Sequence, residues 1–242
     1  MTIRPGFEHI SPSPTMTGNV TMARLLRFDW DSNATVVRAF KVNLKADLRR
    51  AQHGRCCYCR RHLSDDNVTH LEHVLEKASF PEYRFEILNL GLSCATCNTQ
   101  KYRAYRHFQS LIKAKVSKHV FPDPGSRISQ VLKNISPSPS SLPVSESDYR
   151  WLHPHHDRYS QHITILKGWI YRWRTAKGRR TVRGLDLNAL ALLERRAMEE
   201  RINARRQQGA LSWMVGALGE LTFNQTADVC AAVANSIRRA KK

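Results

Sequence analysis

Four cysteines, set as two Cys-x-x-Cys pairs at Cys56/Cys59 and Cys94/Cys97, carry the first chemical signal in this chain. Thiolates bind Zn²⁺ tetrahedrally, and four of them leave no coordination position for water, so such a set is structural. The pairs of a zinc ribbon ordinarily stand about 15–20 residues apart. Here the insert between Cys59 and Cys94 occupies positions 60–93, which is 34 residues. It holds Glu72 and His73 side by side and then Asn89; Asn98 follows the last cysteine directly, and Lys101 comes three residues later. A neutral imidazole can take a proton near physiological pH, and carboxylate and amide oxygens are hard ligands suited to Mg²⁺. Cys57 falls inside the first pair and could replace Cys56 in another register. Cys230 stands alone and reads as a small buried hydrophobe, and His70 is given no role.

The order Glu-His, Asn, Cys-x-x-Cys-Asn-x-x-Lys resembles the ββα-metal motif of the HNH endonuclease family. The likeness spans positions 56–101, 46 of the 242 residues. A weaker likeness, to HNH proteins of bacterial retron-like and other phage-defence operons, rests on "HPHHDRYSQHI" at 153–163 and on Leu185–Asn188. The resemblance implies a zinc knuckle that clamps the two ends of a nuclease site. It makes His73 the general base, gives Glu72 and Asn98 a catalytic Mg²⁺ or Mn²⁺, and has Asn89 pin the loop that orients His73. Lys101, one helical step past Asn98, would meet the phosphate backbone. The implied reaction is hydrolysis of DNA to 5′-phosphate and 3′-hydroxyl ends, and the implied partner is a separately encoded ATPase. Glu at 72 and Asn at 98 depart from the commonest form without removing a ligand. Neighbouring strand residues point to opposite faces, so Glu72 and His73 need a local bend to converge on one phosphate.

The elements that must hold these residues give an α+β fold class: a ββα core, a preceding helix, and a following region of hairpin and helices. From Asn33, the apolar stripe Val37, Phe40, Leu44 and Leu48 predicts a helix, stopped by Gly54 just before the first cysteine pair. "HLEHVL" and "EILNLGLS" read as strands joined by a loop containing Pro81. Tyr102, Tyr105, Phe108 and Leu111/Ile112 mark a helix after Cys97. A hairpin is expected near Gly168, with a further short strand at 180–183. A helix capped by Asp186 or Asn188 follows, with the stripe Leu187, Leu190, Leu193, Ala197 and Ile202. A last helix carries Val229, Val233 and Ile237. These readings divide the chain into an arm (1–32), a nuclease domain with its helix (33–121), a Pro/Ser-rich linker (122–147) and a basic region (148–242).

Charge bounds the function. The chain has 39 Lys+Arg against 20 Asp+Glu, a formal charge of +19 and a pI near 10.2. Such a field attracts polyanions, nucleic acid foremost. Lys101, Arg103, Arg172 and Arg174 are the candidate phosphate contacts. Trp169, Tyr171 and Trp173 alternate through the hairpin and could stack bases, although a buried face is the favoured reading. His153, His155, His156, Asp157 and His162 read as a polar loop against the nuclease unit rather than a second metal site. A hydrophobic fraction of 41% supports a core, and mean hydropathy of −0.49 with no long apolar run argues against a membrane partner. A cytoplasmic protein with reduced thiols is expected. A zinc-stabilised nucleic-acid-binding protein without catalysis is the alternative.

Overall fold

The computed structural model describes residues 2–15, 21–63, 67–116, 129–133, 141–194, 196 and 198. Residues 1–193 form one compact unit, and 194–242 form a second. The terminal helix with Val229, Val233 and Ile237, the stripe residues Ala197 and Ile202, and Cys230 lie outside the described residues.

In chain order the elements are β1 (Thr2–Ile3), α1 (Met22–Leu25), α2 (Thr35–Ala51), β2 (Thr69–His73), β3 (Leu90–Cys94), α3 (Ala95–Val116), α4 (Tyr159–His162), β4 (Ile163–Leu166), β5 (Ile170–Trp173) and α5 (Ala176–Gly184). The fold is therefore mixed helix and sheet. Helix α2 buries the stripe expected of it: Val37, Phe40, Leu44 and Leu48. Each such side chain contributes about 1.5–3 kcal/mol when taken from water. Past its end, His53 and Gly54 adopt positive φ, and the Gly54 N–H returns to the Arg49 carbonyl at 2.8 Å. This reversal feeds the chain into the first cysteine pair.

Strands β2 and β3 pair antiparallel, from Thr69 opposite Cys94 to His73 opposite Leu90. The second apolar run is not one strand, because Ile87–Asn89 forms a 3-10 turn and pairing starts at Leu90. Helix α3 springs directly from β3 at Ala95. Cys97 and Asn98 consequently sit in its first turns rather than ahead of it.

A second sheet runs in the order β1-β4-β5, all antiparallel. The expected hairpin turns at Gly168, where Gly168 and Trp169 take positive φ. Positions 180–183 are helical, not a strand. The Thr175 hydroxyl caps α5 by accepting from the Gly178 N–H at 3.1 Å. A Cβ on Gly178 would stand 2.0 Å from the His162 carbonyl oxygen, so only glycine permits that approach. Thr181 and Val182 turn inward while Arg179, Arg180 and Arg183 stay outside, a one-sided pattern that "RRTVR" also offers to a strand. Asn188 caps no helix: its amide exchanges bonds with the Tyr171 backbone, N–H to Oδ1 at 2.8 Å and Nδ2 to O at 2.9 Å. Leu187 is buried, whereas Leu190 is 72% exposed.

The segment read from sequence as an arm has buried anchors among its described residues. β1 pairs with β4, and Phe7, Ile10, Leu25 and Trp30 are buried. The Pro/Ser-rich stretch also supplies anchors, with Ser129, Gln130, Val131, Leu132 and Leu142 buried and Leu132 bridging to Tyr149.

Candidate functional site

The sulfurs of Cys56, Cys59, Cys94 and Cys97 lie within 4.8 Å of one another, and all four residues are buried. The turn after α2 brings the first pair and the β3–α3 junction brings the second. Backbone N–H groups already point at sulfur, from Cys94 to Cys56 Sγ and from Cys97 to Cys94 Sγ, both at 3.4 Å. Burial pushes the Cys56 thiol up, but the neighbouring sulfurs outweigh it and hold the thiol well below its ordinary value. Such a closed set of four soft donors suits a structural zinc ion. The register is resolved, because Cys56 and not Cys57 joins the cluster. Cys57 is buried beside Gly91, where burial foremost pushes its thiol up and keeps it protonated.

A cavity of about 190 Å³ opens beside β2 and α3, lined among others by Glu72, His73, Glu76, Asn98, Lys101 and Tyr105. Glu72 and His73 reach it together although they are strand neighbours. His73 is the last residue of β2, so the chain bends immediately after it. Asn89 sets that bend. Its Oδ1 accepts the Leu75 N–H at 2.7 Å, and its Nδ2 donates to the carbonyls of Leu75 (3.2 Å) and Tyr83 (3.1 Å). The Val74 N–H bonds the Asn89 carbonyl at 2.8 Å. The carboxamide is fully buried and clamps the turn that orients His73.

The His73 ring donates from Nε2 to the Arg84 carbonyl at 3.0 Å, which leaves Nδ1 as the lone-pair nitrogen. Arg84 is itself held, because its guanidinium bonds the Phe28 and Leu26 carbonyls. Trp30 stands edge-on to the imidazole, centroids 4.4 Å apart. Burial drives the His73 pKa down to about 3, against the pull of the Arg84 carbonyl, so the ring is neutral at physiological pH.

Lys101 does not face solvent. Its ammonium lies 2.7 Å from Glu72 Oε1 with both side chains buried, and it also donates to the His73 carbonyl. Burial raises the Glu72 pKa, opposed by Lys101. For Lys101, burial works downward and is outweighed by Glu72 and Glu76. Asn98 is partly buried at the cavity wall.

The remaining sequence candidates fall elsewhere. Arg103 is exposed on α3, while Arg172 and Arg174 are exposed on or just after β5; none lines the cavity. In the hairpin, Trp169 and Tyr171 are buried and Trp173 is 42% exposed, with Arg183 5.5 Å from its ring. The His-rich segment packs inward. The His155 Nε2–H donates to the Leu90 carbonyl at 2.7 Å, bracing β3. Glu146, Asp157 and His162 also lie within metal-binding reach of one another, and the Lys177 ammonium is bonded to both Asp157 oxygens and the Glu146 carbonyl.

Sequence reasoning missed several contributors. Gln52, fully buried, pairs with β3 like an extra strand: Nε2 donates to the Leu92 carbonyl at 2.9 Å, and Oε1 accepts the Leu92 N–H at 2.7 Å. Trp30, Arg84 and Glu76 were also unassigned, and of these only Glu76 carried a signal, as an acid three residues past the Glu-His pair. No protein-family model matches the chain, and no curated protein matches it. Among the described residues, no helix is long and apolar enough to cross a membrane.

Proposed function

We propose that the protein is a metal-dependent endonuclease of the HNH type that hydrolyses DNA phosphodiester bonds, with β2, β3 and α3 as its ββα core. One observation carries this reading. A histidine fixed through Nε2, with Nδ1 left as the base, shares a cavity with a carboxylate and an amide on the same strand-and-helix frame that carries the second pair of a four-cysteine cluster. Glu72 and Asn98 offer hard oxygen donors, a fit to Mg²⁺ or Mn²⁺. A divalent cation held there supplies charge neutralisation for the phosphoryl oxygens and the departing 3′-oxygen.

The chain's own residues do the rest. His73 Nδ1 takes the proton of the attacking water as its oxygen bonds to phosphorus and the P–O3′ bond breaks, leaving a 5′-phosphate; the 3′-oxygen takes a proton from solvent. Asn89 and Arg84 hold the imidazole in the tautomer this requires. Lys101 holds Glu72 and the end of β2 in place, a positioning role in place of the phosphate contact expected from sequence. The net charge of +19 draws the duplex in.

The test is nicking and linearisation of supercoiled plasmid by wild type and His73→Ala, in Mg²⁺, Mn²⁺ and EDTA. We expect cleavage that EDTA abolishes and that the variant loses by about 10²–10⁴-fold, the usual worth of a general base, with zinc content and fold unchanged. Full activity in the variant would refute His73 as the base. Salt-sensitive DNA binding without cleavage in either metal would favour a non-catalytic zinc-stabilised binding protein.

A further inference from the structure

The cavity holds a second carboxylate that the motif does not assign. Glu76 is 9% exposed and lines the same wall as Glu72, Asn98 and Lys101. Its backbone is fixed, because its carbonyl accepts the N–H groups of Ser79 and Phe80, both at 2.9 Å. One carboxylate oxygen, Oε2, accepts from the Ser129 hydroxyl at 3.1 Å. That hydroxyl is oriented in turn by the Val131 N–H at 3.0 Å. The other oxygen, Oε1, is buried with no hydrogen-bond partner. The two lysines that line the cavity make their close ion pairs elsewhere, Lys101 with Glu72 and Lys77 with Asp31, so that Glu76 feels the Lys101 ammonium only at longer range and shares it with Glu72. A buried carboxylate oxygen left alone is costly; a carboxylate aligned by a serine brace and short of one counter-charge is what a cation ligand needs.

We infer that Glu76 is a third oxygen ligand, beside Glu72 and Asn98, for a hard divalent cation in this cavity. The inference rests on the nuclease reading and deepens it. Three protein oxygens leave half of an octahedral shell for water and a substrate phosphate, which suits Mg²⁺ and Mn²⁺. Ser129 becomes the residue that aims Glu76, and this gives the buried 129–132 stretch a part in the site.

The experiment is Mn²⁺ titration of the full chain, followed by the Mn²⁺ electron paramagnetic resonance signal, for wild type and Glu76→Gln. Glutamine keeps the shape and the Ser129 bond but removes the charge. We expect a Kd at least tenfold weaker, with zinc stoichiometry and thermal unfolding near wild type. Should Glu76→Gln not fold, Glu76→Asp is titrated instead; it keeps the charge but withdraws the donor by one methylene, and a several-fold weakening is expected. An unchanged Kd in the folded variant, with wild type binding Mn²⁺ and cutting plasmid, overturns Glu76 as a ligand and leaves the nuclease standing. A wild type that neither binds Mn²⁺ nor cuts overturns both.

Discussion

Asn89→Ala tests whether the loop behind His73 is held as described. The side chain makes three buried bonds, to the Leu75 N–H, the Leu75 carbonyl and the Tyr83 carbonyl. At about 1 kcal/mol net for each, alanine should cost about 3 kcal/mol, and more if the abandoned partners find no water. For a unit of this size that corresponds to a fall in Tm of roughly 6–12 °C. Urea unfolding followed by circular dichroism measures it, with zinc content assayed in parallel. Asn89→Asp sharpens the test. It is nearly the same size and can still accept the Leu75 N–H, but it sets an oxygen against the two carbonyls that Nδ2 now serves. It should be at least as destabilising as alanine. A loss below about 1 kcal/mol for alanine, or an aspartate variant that behaves like wild type, would refute the clamp. Both variants should also lose cleavage while keeping zinc, because the cysteine cluster lies outside the bonds removed.

The metal register gives a second prediction: Cys56→Ser should lower zinc below one equivalent and unfold the unit, whereas Cys57→Ser should keep a full equivalent, measured by metal analysis of purified protein. Acid supplies a third. Burial holds His155 at about 4, below the ordinary value near 6.5, so the unfolded chain takes up the proton first. Its contribution is complete above about pH 6.5 and is lost as pH falls toward 4, amounting to about 2 kcal/mol by pH 5. Burial foremost lowers His153 and His156 as well, in the same direction. Urea unfolding free energy at pH 7.5 and 5.0 should show the drop. His155→Gln, whose amide can still donate to Leu90, should make it shallower by about that amount; an unchanged slope would refute the assignment.

What was legible in the sequence was whatever repeats or clusters locally. The α2 stripe obeys helical spacing over twelve positions, 37–48, and the cysteine pairs announce themselves by spacing. The order Glu72, His73, Asn89, Asn98 could be read because each falls next to a recognisable anchor, although its chemistry was not fixed by order alone. Lys101 shows the limit. A lysine one turn past Asn98 reads equally as a phosphate contact or as a buried counter-ion, and only the position of Glu72 across the hairpin decides. Contacts between distant segments left no trace in the sequence. Trp30 on His73, Ser129 on Glu76 and Gln52 on Leu92 are each single residues without a periodic neighbour. Positions 180–183 misled for a different reason: an inward Thr-Val pair flanked by arginines fits both periods, and the Thr175 cap and the close approach at Gly178 tip it to helix.

The pairing of β1 with β4 sets an order of events during synthesis. Thr2 and Ile3 find their partners only at Leu166 and Ile165, and Glu8 bonds the backbone of Tyr159 and Ser160. Both cysteine pairs and the His73 loop are therefore made well before the strand that secures residues 2–10 exists. Pairings so far apart in the chain close slowly, because loop-closure entropy must be overcome before any contact forms. The ribosome thus carries an interval in which the four-cysteine half has been made and its outer sheet has not. The chain reaches its finished shape only after most of it has been translated.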